Sequence, residues 1–311
     1  MSIRSGLGSG LGYDMRQAHA RIVELATLAP SVRNSQPWHW VSDGESLDLR
    51  ADRSRVLRAG DEDGRMLTLS CGAGLDHALV AARALGFEVE AHRFPRSDDP
   101  DLLARLRLHP GVVPATATAD LQALTDRRTD RRRFTSWPVS FDQLQDLAAV
   151  ASARGATAIP VVDLADRVRI DLLLGRAGDR QARAQARLGA RGFRSPFADT
   201  PYVAPDRDLE PADGLLVLGG PPDADGPATW LRVGEALSAL WLEATRAGLS
   251  IVPLSVVCEV AETRAVLQHE VLGGLMTPQT LVRVGWQAIG RPRRTPRRPL
   301  DDVLDLRSPG A

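Results

Sequence analysis

The sequence predicts an α+β fold made of two tandem, degenerate halves packed as one compact unit. Three observations carry that reading. Helical periodicities alternate with short strand-like runs. Segments of the first half recur, in the same order, in the second. No apolar run approaches the roughly 18 residues that suggest a membrane span. At 311 residues the chain can form one large or two medium domains and bury a full core either way. A hydrophobic content of 43% and a charged content of 25% are those of an ordinary soluble protein. The formal net charge is zero, so no global field draws the chain to nucleic acid or to an acidic membrane.

The elements follow in order. Met1 to Gly12 is rich in Gly and Ser without an apolar signal core, and residues 1–13 read as a flexible lead-in. Ala18 to Leu28 has helical periodicity, and Trp38 to Ser42 reads as a strand. Between them Pro30 and Pro37 bracket a turn carrying Ser31, Arg33, Asn34, Ser35 and Gln36. That turn is either a polar helix-to-strand loop or a platform for a flat, polar-edged ligand, with Trp38 closing one side and His39 beside it. Asp48 to Arg58 reads as a strand edge and turn, and Met66 to Phe87 as one long helix stopped by Gly86. Glu88 to Phe94 and Leu103 to Leu108 read as strands, and Pro110 to Asp120 as a crossing linker.

The second half restates the first. Glu24–Ala29 matches Asp146–Ala151 at an offset of 122, and Gly72, Leu75, Ala82 and Gly86 match Gly234, Leu237, Ala244 and Gly248 at 162. Leu103 to Leu108 resembles Leu281 to Trp286, each with an Arg inside. The growth in offset puts an insertion between Val162 and Leu215, and an inserted lid over about 175–214 is the natural expectation. The halves are then 14–112 and 113–311. They are unequal: Ser152 to Ile159 lacks the polar groups of Pro30 to Pro37, whereas Asp126 to Phe134 has no counterpart before Ala18.

The Arg cluster at 127–133, which follows a short helical run from Ala119 to Leu124, reads equally as a solvated face or as a monophosphate site, since a guanidinium fork matches a phosphate in two-point contact. Its acidic neighbours Asp126 and Asp130 argue against nucleic acid. Arg291 to Leu300, with its prolines, suggests an extended basic arm. All basic residues are Arg, which excludes a Schiff-base or phosphate-loop lysine. Cys71 and Cys258 lack CxxC spacing and fit a reducing cytoplasm. The six His show no metal-ligand spacing, and no GxSxG elbow occurs. Cys71-Gly72-Ala73-Gly74-Leu75-Asp76-His77 imitates a dinucleotide turn but has His77 at the final Gly, so it reads as a helix start.

Pro30 to Trp38, Arg128 to Phe134 and Arg293 to Leu300 together resemble three motifs of the nitroreductase superfamily of FMN flavoproteins: its Pro-Ser loop, its Arg segment and its basic C-terminal arm. Their split over a repeat is most similar to the Acg-type subgroup, in which one chain forms a pseudo-dimer. The resemblance implies a nitroreductase-like fold with one FMN and NADPH or NADH as reductant. It places Pro30, Ser31, Val32, Asn34 and Gln36 along the flavin. It gives the phosphate to Arg128 and Arg132, with Arg131 as a substitute and Arg297 or Arg293 from the arm. It expects a backbone donor near Pro253 and Leu254. The flavin carries the chemistry, so no catalytic side chain is implied. The expected partner is a small-molecule electron acceptor such as a nitroaromatic or quinone, with no nucleic acid and no membrane, and the expected form is a cytoplasmic monomer. The alternative is a protein that stores or sequesters FMN. Oxidative destruction of the flavin is a third reading, disfavoured by the fused repeat.

Overall fold

A computed structural model of the chain describes residues 14–56, 61–188, 209–287, 289–290 and 292–307. The first half runs α1 (Met15–Ala26), β1 (Trp38–Ser42), β2 (Ser46–Ala51), α2 (Arg65–Ala84), β3 (Phe87–Arg93) and β4 (Leu102–Pro110). After α3 (Ala117–Asp126) come α4 (Phe141–Ser152), β5 (Thr157–Pro160), α5 (Leu164–Leu188), β6 (Gly214–Gly220), α6 (Pro227–Arg246) and β7 (Leu249–Pro253). Two short helices, α7 (Val256–Glu259) and α8 (Ala261–Val266), precede β8 (Thr277–Trp286), and β9 (Leu304–Leu306) ends the described chain.

Strand order is β3-β4-β2-β1-β9 in one sheet and β5-β6-β8-β7 in the other. Setting β1, β2, β3 and β4 against β5, β6, β7 and β8 gives the same order twice, with every one of these neighbours antiparallel. A helix precedes the first strand of each set, and a 20-residue helix separates its second from its third. Two departures break the match. The β1–β2 connection is a short turn at Asp43–Glu45, but β5 and β6 are separated by α5, and β9 adds to β1 in parallel.

The core follows from these layers. α1 and α2 cover one face of the first sheet around Ile22, Trp38, Trp40, Leu75 and Leu106. The other face is wet, as the alternating burial along β3 records. The second sheet is covered on both faces, by α4 and α6 on one and by α5 with α7 on the other. Its central strands are accordingly buried without alternation, β6 at every position and β8 at all but Trp286.

Helix α2 is the hub, buried along its length except at Arg83. Its small residues let α6 approach to backbone contact. A Cβ on Gly72 would sit 2.2 Å from the Leu231 carbonyl oxygen, and one on Gly234 would sit 2.1 Å from that of Leu69. Gly72 and Leu69 precede Gly234 and Leu231 by the same 162 residues, so the contact is reciprocal. Asp61 holds the start of α2, its carboxylate accepting from the Met66 and Leu67 amides at 2.7 and 2.9 Å.

Some expectations are corrected. Gly72 lies well inside α2 and marks a helix crossing, not a helix start. Pro110 to Asp120 is not all linker, because α3 begins at Ala117. The first part of the expected lid, from Gly175 to Leu188, continues α5. Residues 189–208 of that lid and the lead-in 1–13 lie outside the described residues. No helix among those residues is long and apolar enough to cross a membrane.

Candidate functional site

Three segments distant in sequence meet at the C-terminal end of α1. The first is the turn at 29–37. Arg33, Asn34 and Gln36 have φ of 50°, 54° and 50°, three of the four positive-φ residues other than Gly among the described residues. Such backbone costs about 1–3 kcal/mol per residue and persists where the surroundings over-determine it, as at ligand sites. The surroundings here are dense. Ser31 Oγ accepts from the Gln36 amide at 3.0 Å, and the Val32 amide donates to Ser70 Oγ on α2 at 3.2 Å. Arg55 donates to the Gln36 carbonyl at 2.8 Å. Pro30 enters the turn without a donor.

The second segment is the arm, extended from Pro292 to Pro299 without secondary structure. It is tied to the turn by Asn34 Nδ2 donating to the Pro296 carbonyl at 3.0 Å and by the Arg298 amide donating to Gln36 Oε1 at 2.9 Å. Arg297 reaches the end of α1, donating to the carbonyls of Thr27 at 2.7 Å and Leu28 at 3.2 Å. The terminal carbonyls of a helix lack intrahelical donors, and its dipole favours a cation there. Arg293 is exposed.

The third segment is the Arg run after α3. Arg127 is buried, donates to the Leu28 carbonyl at 3.0 Å and lies 4.7 Å over the ring of Trp241. Its Nε and one terminal nitrogen are buried without a partner. Arg128 donates to the Thr125 carbonyl at 2.6 Å, and Arg294 of the arm reaches the same oxygen at 3.1 Å. Thr129 bridges to Ile251 in parallel, which lays the run beside β7.

Electrostatics sets this place apart. Burial, then the charges of Arg297 and Arg128, hold Arg127 well below the usual guanidinium range. Burial and Arg128 bring Arg297 down to about 10. Guanidinium groups crowd together here at a cost that an anion relieves. Buried N–H donors without acceptors and converging guanidinium groups make a donor set that fits a phosphate group, while the helix-end carbonyls accept from Arg127 and Arg297 and hold them in place.

The expected residues divide. Ser31, Val32, Asn34, Gln36, Arg128 and Arg297 come together here. Arg132 does not: it forks onto Asp130 at 2.8 and 2.7 Å and donates to the carbonyls of Ile289 and Gly290. That fork, with the Arg132 amide, outweighs burial and holds the Asp130 carboxyl below its usual range. Arg131 is exposed. Pro253 has no N–H, and the Leu254 amide is committed to the Leu281 carbonyl at 2.7 Å, so neither supplies the expected backbone donor. Trp38 is fully buried under Gly74 of α2 and supports the turn from below, closing no pocket. His39 bonds Asp305 at 3.0 Å on the sheet edge. Arg127 lies in the run that sequence reasoning offered as a monophosphate site, but the resemblance assigned the phosphate to its neighbours Arg128, Arg131 and Arg132 and not to it. Its only sequence signal is its place as first of the run, one residue after α3.

No family model matches the chain. The chain is 34% identical over 310 residues to a Mycobacterium tuberculosis protein bearing the name "Putative NAD(P)H nitroreductase Rv3131", covering 91% of this chain and 90% of that one. It is also 34% identical over 320 residues to "Putative NAD(P)H nitroreductase acg" of the same organism, covering 92% and 95%. Among solved structures it is similar to a nitroreductase with bound FMN from Bacteroides fragilis, at 14% identity and a TM-score of 0.39, over 58% of this chain and 94% of that one. It is similar also to an NADPH:FMN oxidoreductase from Vibrio harveyi complexed with NAD+, at 16% identity and a TM-score of 0.39, over 58% and 73%.

Proposed function

The chain belongs to the family of the NAD(P)H nitroreductase-like proteins Acg and Rv3131, and from that premise we propose that it is an FMN-dependent oxidoreductase of nitroreductase type. FMN supplies two-electron transfer from NADPH or NADH to a small acceptor of nitroaromatic or quinone type. The observation that carries the reading is Arg127, a buried guanidinium with donors left open beside Arg128 and Arg297. These residues hold the phosphate. The strained turn from Pro30 to Gln36 lies beside them, tied to the arm through Asn34 and Gln36, and positions the flavin ring. Burial of Arg127 and Arg297 keeps water from competing for the same contacts.

The twofold repetition of strand order and the reciprocal contact of Gly72 with Gly234 support a fused pseudo-dimer with one complete site. The Pro-Ser turn comes from one half, and the Arg run and arm from the other.

Anaerobic mixing of the FMN-loaded protein with NADPH, and separately with NADH, tests the function. Prompt loss of the oxidised flavin absorbance, returned by a nitroaromatic or quinone, is the expected result. Tight FMN binding without reduction by either nicotinamide would assign storage instead. A protein that takes up no FMN would overturn both readings.

A further inference from the structure

Arg55 lies in the connection from β2 to α2, within the short turn Arg53–Arg55. Asp52 caps that turn, accepting from the Ser54 amide at 3.0 Å. The Arg55 side chain is 11% exposed, and its Nε meets Asp52 Oδ2 at 2.6 Å. From that anchor its terminal nitrogens reach backbone carbonyls. Nη1 donates to Gln36 at 2.8 Å and to Trp38 at 3.3 Å, and the Asp52 amide donates to the Pro37 carbonyl between them at 2.8 Å. Three consecutive carbonyls, where the strained turn runs into β1, are thus held by one short element. Nη2 donates to a fourth, that of Asp302, at 2.8 Å.

Asp302 is the far root of the arm. The arm brings Arg297 to the end of α1, and residues 300–302 then turn the chain into β9. There the Trp40 amide donates to the Val303 carbonyl at 2.7 Å, and β9 runs beside β1. Gln36 is shared between the two sides. Its carbonyl binds Arg55, its Oε1 accepts from the Arg298 amide of the arm, and its own amide donates to Ser31. One guanidinium therefore spans the turn with its three positive-φ residues and the segment that carries Arg297. Strained backbone persists only where its surroundings over-determine it. Ser31, Ser70 and the arm at Pro296 and Arg298 tie the turn through neutral groups. Arg55 supplies the charged donor, whose bonds are about twice as strong as neutral ones. Asp52 already balances its charge, so its contribution is placement.

Resting on the reading of an FMN held by Arg127, Arg128 and Arg297 beside the turn, we propose that Arg55 is the positioning residue of that site. It preassembles the turn and the arm, the ring end and the phosphate end, before the flavin arrives. When only a fraction of the free protein is competent, the apparent Kd is the intrinsic one divided by that fraction. Loss of the fork lowers the fraction, and the effect falls on association. Arg55→Lys retains an ion pair with Asp52, but one ammonium lacks the planar fork that spans the carbonyls of both segments.

Hydrogen exchange of the flavin-free protein, combined with stopped-flow FMN binding, tests this. In the wild type, residues 31–38 and 296–303 should be protected before FMN is added. Arg55→Lys should speed exchange in both segments by about tenfold or more and slow FMN association by a similar factor. Exchange in β6 should stay as in the wild type, and FMN dissociation should remain within about twofold. Asp52→Ala, which removes the carboxylate that aims the fork, should act in the same direction by about threefold, and it decides the matter if Arg55→Lys does not fold. Wild-type segments that gain protection only with FMN overturn the preassembly. Wild-type association in the variants overturns it, and so does an effect confined to dissociation. Protection lost equally in β6 overturns it as well and makes Arg55 a brace of the whole fold. A wild type that binds no FMN defeats the FMN reading itself, and this inference with it.

Discussion

Arg127 occupies a position that burial makes unfavourable for a cation and that only its stacking on Trp241 and one carbonyl contact offset. Removing a buried, incompletely paired charge is often neutral or stabilising, whereas removing a charge-assisted bond to a ligand costs about 1.5–3 kcal/mol. Arg127→Met should therefore weaken FMN by roughly 10- to 100-fold in a flavin fluorescence titration. It should at the same time leave the melting temperature of the flavin-free protein unchanged or raised; equal losses in both would make Arg127 a structural residue. Asp61 gives a pH signature of its own. Burial pushes its carboxyl up to about 6, although two amides of α2 bond it. In the unfolded chain it ionises near pH 4, so the native state holds the proton more tightly and stability falls as pH rises from about 4 through 6. Compared with Asp61→Asn, the wild type should lose on the order of 3 kcal/mol between pH 4 and 7 in urea unfolding. A constant gap between the two proteins across that range would refute it. Sequence revealed the residue types at the site better than their assignments. The turn motif stood out because Pro30 and Pro37 bracket a run of polar residues that holds the one Asn of the sequence, but which Arg of a run is buried depends on Trp241 and Leu28, both distant in the chain.

At the scale of elements, the crossing of α2 and α6 is set by two glycines. A methyl at either meets a backbone carbonyl, which cannot rotate away as a side chain would. Gly72→Ala and Gly234→Ala should each destabilise by about 1–3 kcal/mol or more through overpacking, measured by chemical denaturation. The double variant should cost less than the sum, because the first methyl already separates the helices; strict additivity would mean that the two contacts are independent. Periodicity located α1, β3 and β4 because each buries one face or one stripe against a single core, whereas α2 is buried along its length except at Arg83 and packs on two. Local periodicity gave Gly72 as a helix start because glycine is a poor helix former in isolation. The compensation is the closeness of α6, which no local window contains. The helical run read at Ala119 to Leu124 is the body of α3, which extends it by two residues at each end, with Ala123 and Leu124 anchored by tertiary packing.

For the whole molecule, the repeat of strand order raises the question of how many FMN molecules the proposed site allows in a chain with two similar halves. The end of α4, counterpart of the end of α1, opens on the cavity lined by Arg154, Arg246 and Glu243. Its two guanidinium groups are already neutralised, Arg154 by Asp76 and Arg246 by Asp120 and Glu243. Three carboxylates against two cations leave no surplus positive charge for a phosphate, in contrast to the cluster of Arg127, Arg128 and Arg297. The polar turn is also missing there: Ser152 ends α4, and Thr157–Pro160 pass directly into the edge strand β5. Loss of the donors and neutralisation of the charge act together, so restoring either alone should not create a site. The expected stoichiometry is therefore one FMN per chain, read from flavin released by heat against protein concentration. Asp76→Asn, which frees Arg154 from its carboxylate partner, should leave that ratio at one. A ratio approaching two in the wild type would mean that the second half binds flavin through contacts other than these, and the asymmetry argued from its ion pairs would fall.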